Sequence, residues 1–145
     1  DELPDSIDAV IAHAFIGTRN ALLELRHYLD QRNIRLVLVA SMSHPGSKDI
    51  IDPCLDKILE TISIVEPWGI VAPATRPEII VRARRILGPG IKILSPGIGA
   101  QGSNPGDALK AGADYEIIGR MITTSPDPIP VLNEIIAQQN RILGK

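Results

Sequence analysis

The sequence predicts an α/β fold in which parallel strands alternate with helices, and three observations lead to that prediction. Short runs of Val, Ile and Leu recur with little polar alternation, which is typical of strands buried on both faces. Amphipathic stretches separate them, so that β and α segments repeat in units of roughly 25 to 30 residues. No linker or low-complexity segment interrupts the pattern. We therefore expect residues 1–145 to form a single domain.

Each predicted element has its own local signal. The strands are the aliphatic runs at residues 9–13, 35–40, 68–71, 92–94 and 115–118. The helices are predicted at residues 20–29, 49–64, 77–87, 105–111 and 129–143. The first and second repeat leucine or isoleucine at helical spacing. The third has Pro77 at an early position behind Thr75 as a cap, and the fourth ends at Gly112, a favourable C-cap residue.

Composition excludes several classes of protein. The 15 basic and 17 acidic residues give a net charge of −2, which argues against nucleic acid as a partner. No apolar run approaches the roughly 18 residues that predict a membrane span, and the first residues lack the basic start of a signal peptide. The single cysteine, Cys54, fits a reducing cytosol and is expected to be a small buried hydrophobe. We therefore expect a cytoplasmic protein.

Two parallel architectures are compatible with this pattern. A doubly wound sheet of five strands would be complete in 145 residues. A (β/α)₈ barrel typically needs about 250 residues, so five units would be only part of one. In both architectures ligands bind at the carboxyl ends of the strands, where polar residues and glycines gather here.

The loops after the last two predicted strands indicate a phosphate site. Glycines allow backbone N–H groups to approach an anion, Gln101 offers a neutral donor, and Arg120 offers a forked cationic one. The glycines at 97, 99 and 102 also fit a dinucleotide fingerprint. That fingerprint normally follows the first strand, with an acidic residue about 20 positions on. Here it follows the fourth strand and Arg120 stands in that region, so we favour a phosphate site.

Four segments together resemble the orotidine 5′-phosphate decarboxylase family, in its compact archaeal form. They are MSHPG at 42–46, PATRPE at 73–78, SPGIGAQG at 95–102 and IIGR at 117–120. The resemblance runs from Ala9 to the last predicted helix. It implies a (β/α)₈ TIM barrel in which this chain covers about strand 4 to strand 8 and the N-terminal three units are absent. It also implies a homodimer that converts orotidine monophosphate to UMP and CO₂ without metal or cofactor.

The same resemblance assigns candidate site residues. Ser43 resembles the serine that contacts the pyrimidine, and Gly119 and Arg120 resemble residues of the phosphate-binding site. One segment resembles the loop that closes over the nucleotide, in which Gln101 would reach the phosphate. Its residues are Pro96, Gly97, Ile98, Gly99, Ala100, Gln101, Gly102, Ser103, Asn104, Pro105 and Gly106. The chain departs from the family pattern at Ser103 and Asn104, where Gly-Asp is usual, and at Met121 and Thr123.

The family's catalytic motif does not occur in this sequence. The family carries out its chemistry with Asp-x-Lys-x-x-Asp at the end of strand three, and residues 1–145 contain no such pattern. We therefore assign no catalytic residue to this chain. Two alternatives remain: a sugar-phosphate decarboxylase or synthase of the same superfamily, and a truncated, non-catalytic module that binds nucleotide phosphate.

The remaining candidates have structural interpretations. His13 is expected to bond to backbone, His44 to shape its loop, and His27 to lie on a solvated helix. The three histidines lack metal-ligand spacing, so no metal site is predicted. Arg76 is expected to pair with a neighbouring loop or a second subunit. The three arginines at 82, 84 and 85 are expected to form a solvated helix face.

Overall fold

The strands form one parallel sheet in which sequence order equals spatial order. The computed structural model describes residues 6–144. Its strands are β1 (Ala9–His13), β2 (Arg35–Val39), β3 (Gly69–Val71), β4 (Lys92–Pro96) and β5 (Tyr115–Ile117). A doubly wound sheet reverses its strand order at a switch point, whereas consecutive units of a barrel do not. The order β1-β2-β3-β4-β5 is therefore that of consecutive barrel units, and the doubly wound alternative is wrong.

Seven α-helices lie between and after the strands in the described part of the chain. They are α1 (Leu23–Asp30), α2 (Ser47–Ile50), α3 (Leu55–Val65), α4 (Pro77–Leu87), α5 (Asp107–Ala111), α6 (Arg120–Thr123) and α7 (Pro128–Leu143). The prediction for α4 has the observed bounds, and Gly112 ends α5 in the left-handed conformation, as predicted. Thr75 does not cap α4, because the N-cap position is Arg76. None of the helices within residues 6–144 is long and apolar enough to cross a membrane.

The helix predicted at 49–64 is interrupted in the structure. It consists of α2, a 3₁₀ turn at Asp52–Cys54 and α3. Pro53 explains the break, since proline lacks an N–H donor and its ring clashes with the preceding turn of an α-helix. The turn leaves Cys54 exposed, so its predicted burial is wrong. The predicted start of α1 is also too early, because Asn20 has a left-handed backbone with φ of 52°.

One face of the sheet packs under the helices and forms the core. Leu38 on β2 lies beside Ala12 and Ile70, and Ile70 lies beside Ile93 on β4. On this face the side chains of Leu38, Ile70 and Ile93 have no solvent exposure. The α3 residues Leu55, Ile58, Leu59 and Ile62 are buried against this face, as their spacing predicted. The helices therefore cover one side of the sheet.

The opposite face is buried at its centre and open at both outer strands. Val37 on β2 is 2% exposed, whereas Ile11 on β1 and Ile117 on β5 are 60% and 45% exposed. In a closed (β/α)₈ barrel this face forms the packed interior. The exposed apolar side chains thus lie on β1 and β5, the two edge strands of the sheet.

An ion-pair cluster joins α4, β4 and the segment before β5 at the amino end of the sheet. The Asp114 carboxylate contacts Arg84 at 2.5 Å and Lys92 at 3.2 Å, and it accepts a hydrogen bond from the Ile93 N–H. Arg84 also donates to the carbonyls of Gly88, Ile91 and Gly112. The prediction that Arg84 belongs to a solvated face is therefore wrong, because its guanidinium binds these loops together.

Candidate functional site

The predicted site residues lie at or after the carboxyl ends of adjacent strands, and Pro96, which was predicted to lie in a loop, is the last residue of β4. Since all five strands are parallel, these ends meet at the same edge of the sheet. Ser43 follows β2, the segment 72–76 follows β3, the glycine-rich segment 97–106 follows β4, and Gly119 follows β5. The tertiary structure thus brings segments far apart in sequence to one edge.

The Ser43 loop is held at both ends by one carboxylate. Ser41 and Ser47 are fully buried, and both hydroxyls donate to Asp52 Oδ1, at 2.7 and 2.9 Å. The Ser47 hydroxyl also accepts from the Met42 N–H at 3.4 Å. Ser43 lies between these anchors and is half-buried. The loop therefore presents Ser43 from a fixed base at the strand edge.

Arg76 links this loop to the loop after β3. Its Nη1 donates to Asp52 Oδ2, so the interaction spans two adjacent loops. This settles the sequence prediction in favour of a neighbouring loop. Arg76 is 9% exposed, and burial lowers the pKa of its guanidinium, an effect that the nearby Glu78 carboxylate opposes. Within residues 6–144 the buried Nη2 of Arg76 and the buried Oγ1 of Thr75 have no hydrogen-bond partner.

The segment from Pro96 to Gly106 folds back on itself through left-handed glycines. Gly97, Gly99, Gly102 and Gly106 all have φ between 72° and 108°, a region that glycine adopts without steric cost. The Gly99 N–H donates to the Ser103 carbonyl at 2.7 Å, and the Gly102 N–H donates to the Gly99 carbonyl at 2.9 Å. Ala100, Gln101, Gly102 and Asn104 are exposed at the surface of this fold, whereas Gly97, Ile98, Ser103, Pro105 and Gly106 are buried.

Gln101 lies over Gly97, close to the loop after β3. A Cβ atom at Gly97 would be 3.2 Å from Gln101 Oε1 and 3.2 Å from Thr75 Cγ2. The absence of a side chain at this position therefore allows the Gln101 amide and Thr75 to approach the same backbone. The exposed Gln101 amide can donate to an anion at the strand edge.

Met121, the residue after Arg120, contacts the same glycine-rich segment. Arg120 begins α6 and is exposed, and Met121 packs its side chain against Gly99. Arg120 was expected in the loop after the last predicted strand, and in the structure it is the first residue of a short helix in that position. The loops after β4 and β5 therefore form one surface with Gln101 and Arg120 on it.

Glu116 anchors the far end of the glycine-rich segment. Its carboxylate accepts from the Gly106 N–H at 2.8 and 2.9 Å, from the Ala108 N–H at 3.0 Å and from Gln139 Nε2 at 2.9 Å. Glu116 and Asp52 were not predicted as parts of the site. The available signal for Glu116 was an acidic residue inside an otherwise apolar strand run, since such a charge requires partners.

Comparison with known proteins identifies the family. The sequence profile of the orotidine 5′-phosphate decarboxylase / HUMPS family matches residues 3–135. The chain belongs to this family. An orotidine 5′-phosphate decarboxylase of Aeropyrum pernix is 57% identical over 136 residues, which are 93% of this chain and 55% of that protein. The enzyme of Thermococcus kodakarensis is 46% identical over 123 residues, which are 83% of this chain and 54% of that protein.

Solved structures of the decarboxylase family share the fold. The crystal structure of orotidine 5′-monophosphate decarboxylase from Sulfolobus solfataricus has a TM-score of 0.89 and 40% identity, and the match covers 96% of this chain and 64% of that one. The Methanocaldococcus jannaschii enzyme, complexed with the inhibitor BMP, has a TM-score of 0.79 and 31% identity, covering 95% and 62%. The chain thus contains part of a (β/α)₈ barrel and spans about half the length of the curated decarboxylases it matches.

The histidines have no assigned role within this family site. His13 ends β1, its ring lies 4.7 Å from that of Phe15, and its Nδ1 is buried with no partner among residues 6–144. His13 was expected to bond to backbone, and its buried Nδ1 makes no such bond in this part of the chain. His27 is exposed, as predicted, and His44 is exposed beside Gly46.

Proposed function

We propose that the protein containing this chain is an orotidine 5′-phosphate decarboxylase, and that this chain supplies residues that bind the pyrimidine and the phosphate. The observation that carries the proposal is the convergence of Ser43, Gln101 and Arg120 at one strand edge, in a chain 57% identical to a decarboxylase of that name. The inhibitor complex of the Methanocaldococcus jannaschii relative also supports ligand binding by this barrel.

In this proposal the phosphate is held by the surface shared between the loops after β4 and β5. Arg120 donates charge-assisted hydrogen bonds to phosphate oxygens, and Gln101 donates through its amide. The glycine-rich segment, residues 96–106, lies over the nucleotide and excludes water, which strengthens electrostatic interactions at the reacting ring. Gly119, beside Arg120, leaves room for the phosphate. The residues assigned to the phosphate therefore act at a distance from the bond that breaks.

The pyrimidine end is assigned to the Ser43 loop. The Ser43 hydroxyl can donate to and accept from groups of the ring or its carboxylate. Loss of CO₂ leaves negative charge on a ring carbon, which then takes a proton. Residues 1–145 contain no Asp-x-Lys-x-x-Asp sequence, so in this proposal Ser43 orients the ring and the proton donor is not among the assigned residues of this chain. The binding energy of the remote phosphate contributes to the barrier reduction at the ring.

We also propose that the protein works as a cytoplasmic homodimer and needs no cofactor. The family resemblance supports the dimer, and the single cysteine of residues 1–145 fits a reducing compartment. Measuring the molar mass of the native protein in solution, by light scattering, tests the dimer.

The function is tested by the decarboxylation of orotidine monophosphate and by titration with UMP. The purified protein containing this chain should release CO₂ from orotidine monophosphate and bind UMP more tightly than a pentulose phosphate. The reverse preference would favour a sugar-phosphate enzyme. Binding of UMP without turnover would favour a non-catalytic module.

Arg120→Ala tests the phosphate assignment. Because it removes a charge-assisted contact, UMP binding should weaken by roughly 2 to 4 kcal/mol, measured by calorimetric titration. Arg85→Ala is the matched control, since Arg85 is an exposed arginine on α4 away from the strand edge. Unchanged affinity in Arg120→Ala would contradict the phosphate assignment.

A further inference from the structure

The Asp52 carboxylate anchors both ends of the loop that carries Ser43. The side chains at its two ends, Ser41 and Ser47, both donate to Asp52 Oδ1. Both serines have no solvent exposure, and the Asp52 side chain is 19% exposed. One carboxylate oxygen therefore fixes the entry and the exit of the five residues that include Ser43.

The second oxygen of the same carboxylate holds the neighbouring loop. Arg76 donates to Asp52 Oδ2, and its side chain is 10% exposed. A buried arginine needs a carboxylate partner, because an unpaired charge at such a site is strongly destabilising. Asp52 thus couples the loop after β2 to the loop after β3, although the two residues are 24 positions apart.

We propose that Asp52 is a positioning residue that sets the place of the Ser43 hydroxyl and, through it, the orientation of the pyrimidine ring. This inference rests on the proposed function. Residues whose rotamers are locked by a supporting layer of hydrogen bonds hold a ligand more accurately than residues on free loops. With both ends anchored, residues 42–46 have few alternative conformations, so the Ser43 side chain loses little freedom when a ligand binds.

A second Asp–Arg ion pair joins the same part of the fold and provides a matched control. Its removal deletes the same kind of charge as removal of the Asp52–Arg76 pair. Asp56 on α3 contacts Arg82 on α4 at 2.5 Å. Asp52 and Arg76 lie just before the same two helices, at the strand edge. The outer pair is more exposed, with side-chain exposures of 68% for Asp56 and 44% for Arg82, and neither side chain forms a hydrogen bond or ion pair with residues 41–47. Replacing Asp56 therefore removes an Asp–Arg link without touching residues 41–47.

The binding experiment uses the complete protein and two ligands titrated by calorimetry. UMP carries the base and the phosphate, whereas ribose 5-phosphate carries the phosphate without the base. Asp52→Asn should weaken UMP binding about tenfold and leave ribose 5-phosphate binding within about twofold. Ser47→Ala, which removes one anchor and keeps the carboxylate, should weaken UMP binding in the same direction by less. Asp56→Asn should change neither affinity.

Two further readouts separate positioning from folding stability. For orotidine monophosphate, kcat/KM of Asp52→Asn should fall about tenfold, in parallel with the UMP affinity. Hydrogen exchange of the Met42 and Ser47 amides, whose N–H groups donate within this loop, should speed up about tenfold in Asp52→Asn and not in Asp56→Asn. The exchange measurement needs no activity and is also made on Ser47→Ala, in case Asp52→Asn does not fold.

Three outcomes decide against the proposal. Equal loss of UMP and ribose 5-phosphate affinity would show that Asp52 does not act through the base. Equal effects of Asp52→Asn and Asp56→Asn would assign the network to stability alone. Failure of the unmodified protein to bind UMP would overturn the proposed function and the pyrimidine assignment together. Faster exchange of the Met42 and Ser47 amides would then still identify Asp52 as the anchor of the loop.

Discussion

The sulfur atom of Met121 lies 2.9 Å from the position that a Cβ atom would take at Gly99. The contact joins the glycine-rich segment after β4 to α6, which begins at Arg120. The backbone of Gly99, with φ of 72°, is also in a region that other residues rarely adopt.

We expect Gly99→Ala to weaken UMP binding, because its methyl group would displace Met121 and with it α6. The expected cost is about 1 to 3 kcal/mol, which calorimetric titration measures. Gly102→Ala is the control: Gly102 has φ of 103° but no atom within 4 Å of its Cβ position. Equal losses in the two variants would show that backbone strain, and not the Met121 contact, is responsible.

Glu116→Ala should loosen the far end of the same segment. The substitution leaves the N–H groups of Gly106 and Ala108 without their acceptor, at a cost of about 1 to 3 kcal/mol in the free energy of unfolding. Urea denaturation measures this, and exchange of those two amides should speed up. Gln139→Ala removes one donor to the same carboxylate and should cost less. A larger loss in Gln139→Ala would contradict the assignment of Glu116 as the anchor.

Asp114→Asn should reduce stability at neutral pH and make it less sensitive to acid. Partial burial opposes ionisation of Asp114, but the Ile93 N–H, Arg84 and Lys92 together hold the pKa of its carboxyl below its usual value. Its contribution is therefore complete above the unfolded pKa of about 3.9 and is lost as the pH falls through the lower folded pKa.

We expect Asp114→Asn to lower the free energy of unfolding by about 1 to 3 kcal/mol at pH 7. The difference from the unmodified protein should shrink as the pH falls from about 5 towards the folded pKa, measured by urea denaturation at each pH. Asp30→Asn, which removes the exposed Arg26–Asp30 pair, should have a much smaller effect. A difference that grows on acidification would contradict the lowered pKa.

Leu59→Ala should cost about 2 to 5 kcal/mol in the free energy of unfolding, because it leaves a cavity between α3 and the sheet. Leu59 has no solvent exposure, whereas Ile64 on the same helix is 55% exposed. Ile64→Ala should therefore change stability by about 0.5 kcal/mol or less. Comparable losses would show that α3 buries a different face from the one described.

Part of the candidate site was accessible from the sequence: the residues themselves indicated Gln101 and Arg120 as phosphate donors, and the family resemblance indicated Ser43. Ser43, Gln101 and Arg120 stand in loops that follow aliphatic strand runs, and parallel strands place such loops at one edge. The partners beneath these loops were not accessible. Asp52 meets Arg76 across 24 positions, and Glu116 meets Gly106 across 10, so no periodic or local pattern indicates which residue each carboxylate contacts.

The sequence by itself determined the number of strands and their order along the chain, the bounds of α4, and the glycine-rich or polar character of the loops at the strand ends. These features depend on local chemistry: apolar periodicity, proline and glycine at helix termini, and glycine where the backbone turns left-handed. The tertiary structure decided which strands are neighbours, which face of the sheet the helices cover, and which loop each charge joins. Those choices depend on contacts between distant residues, whose partners become known only when the strands have paired and the helices have packed against them.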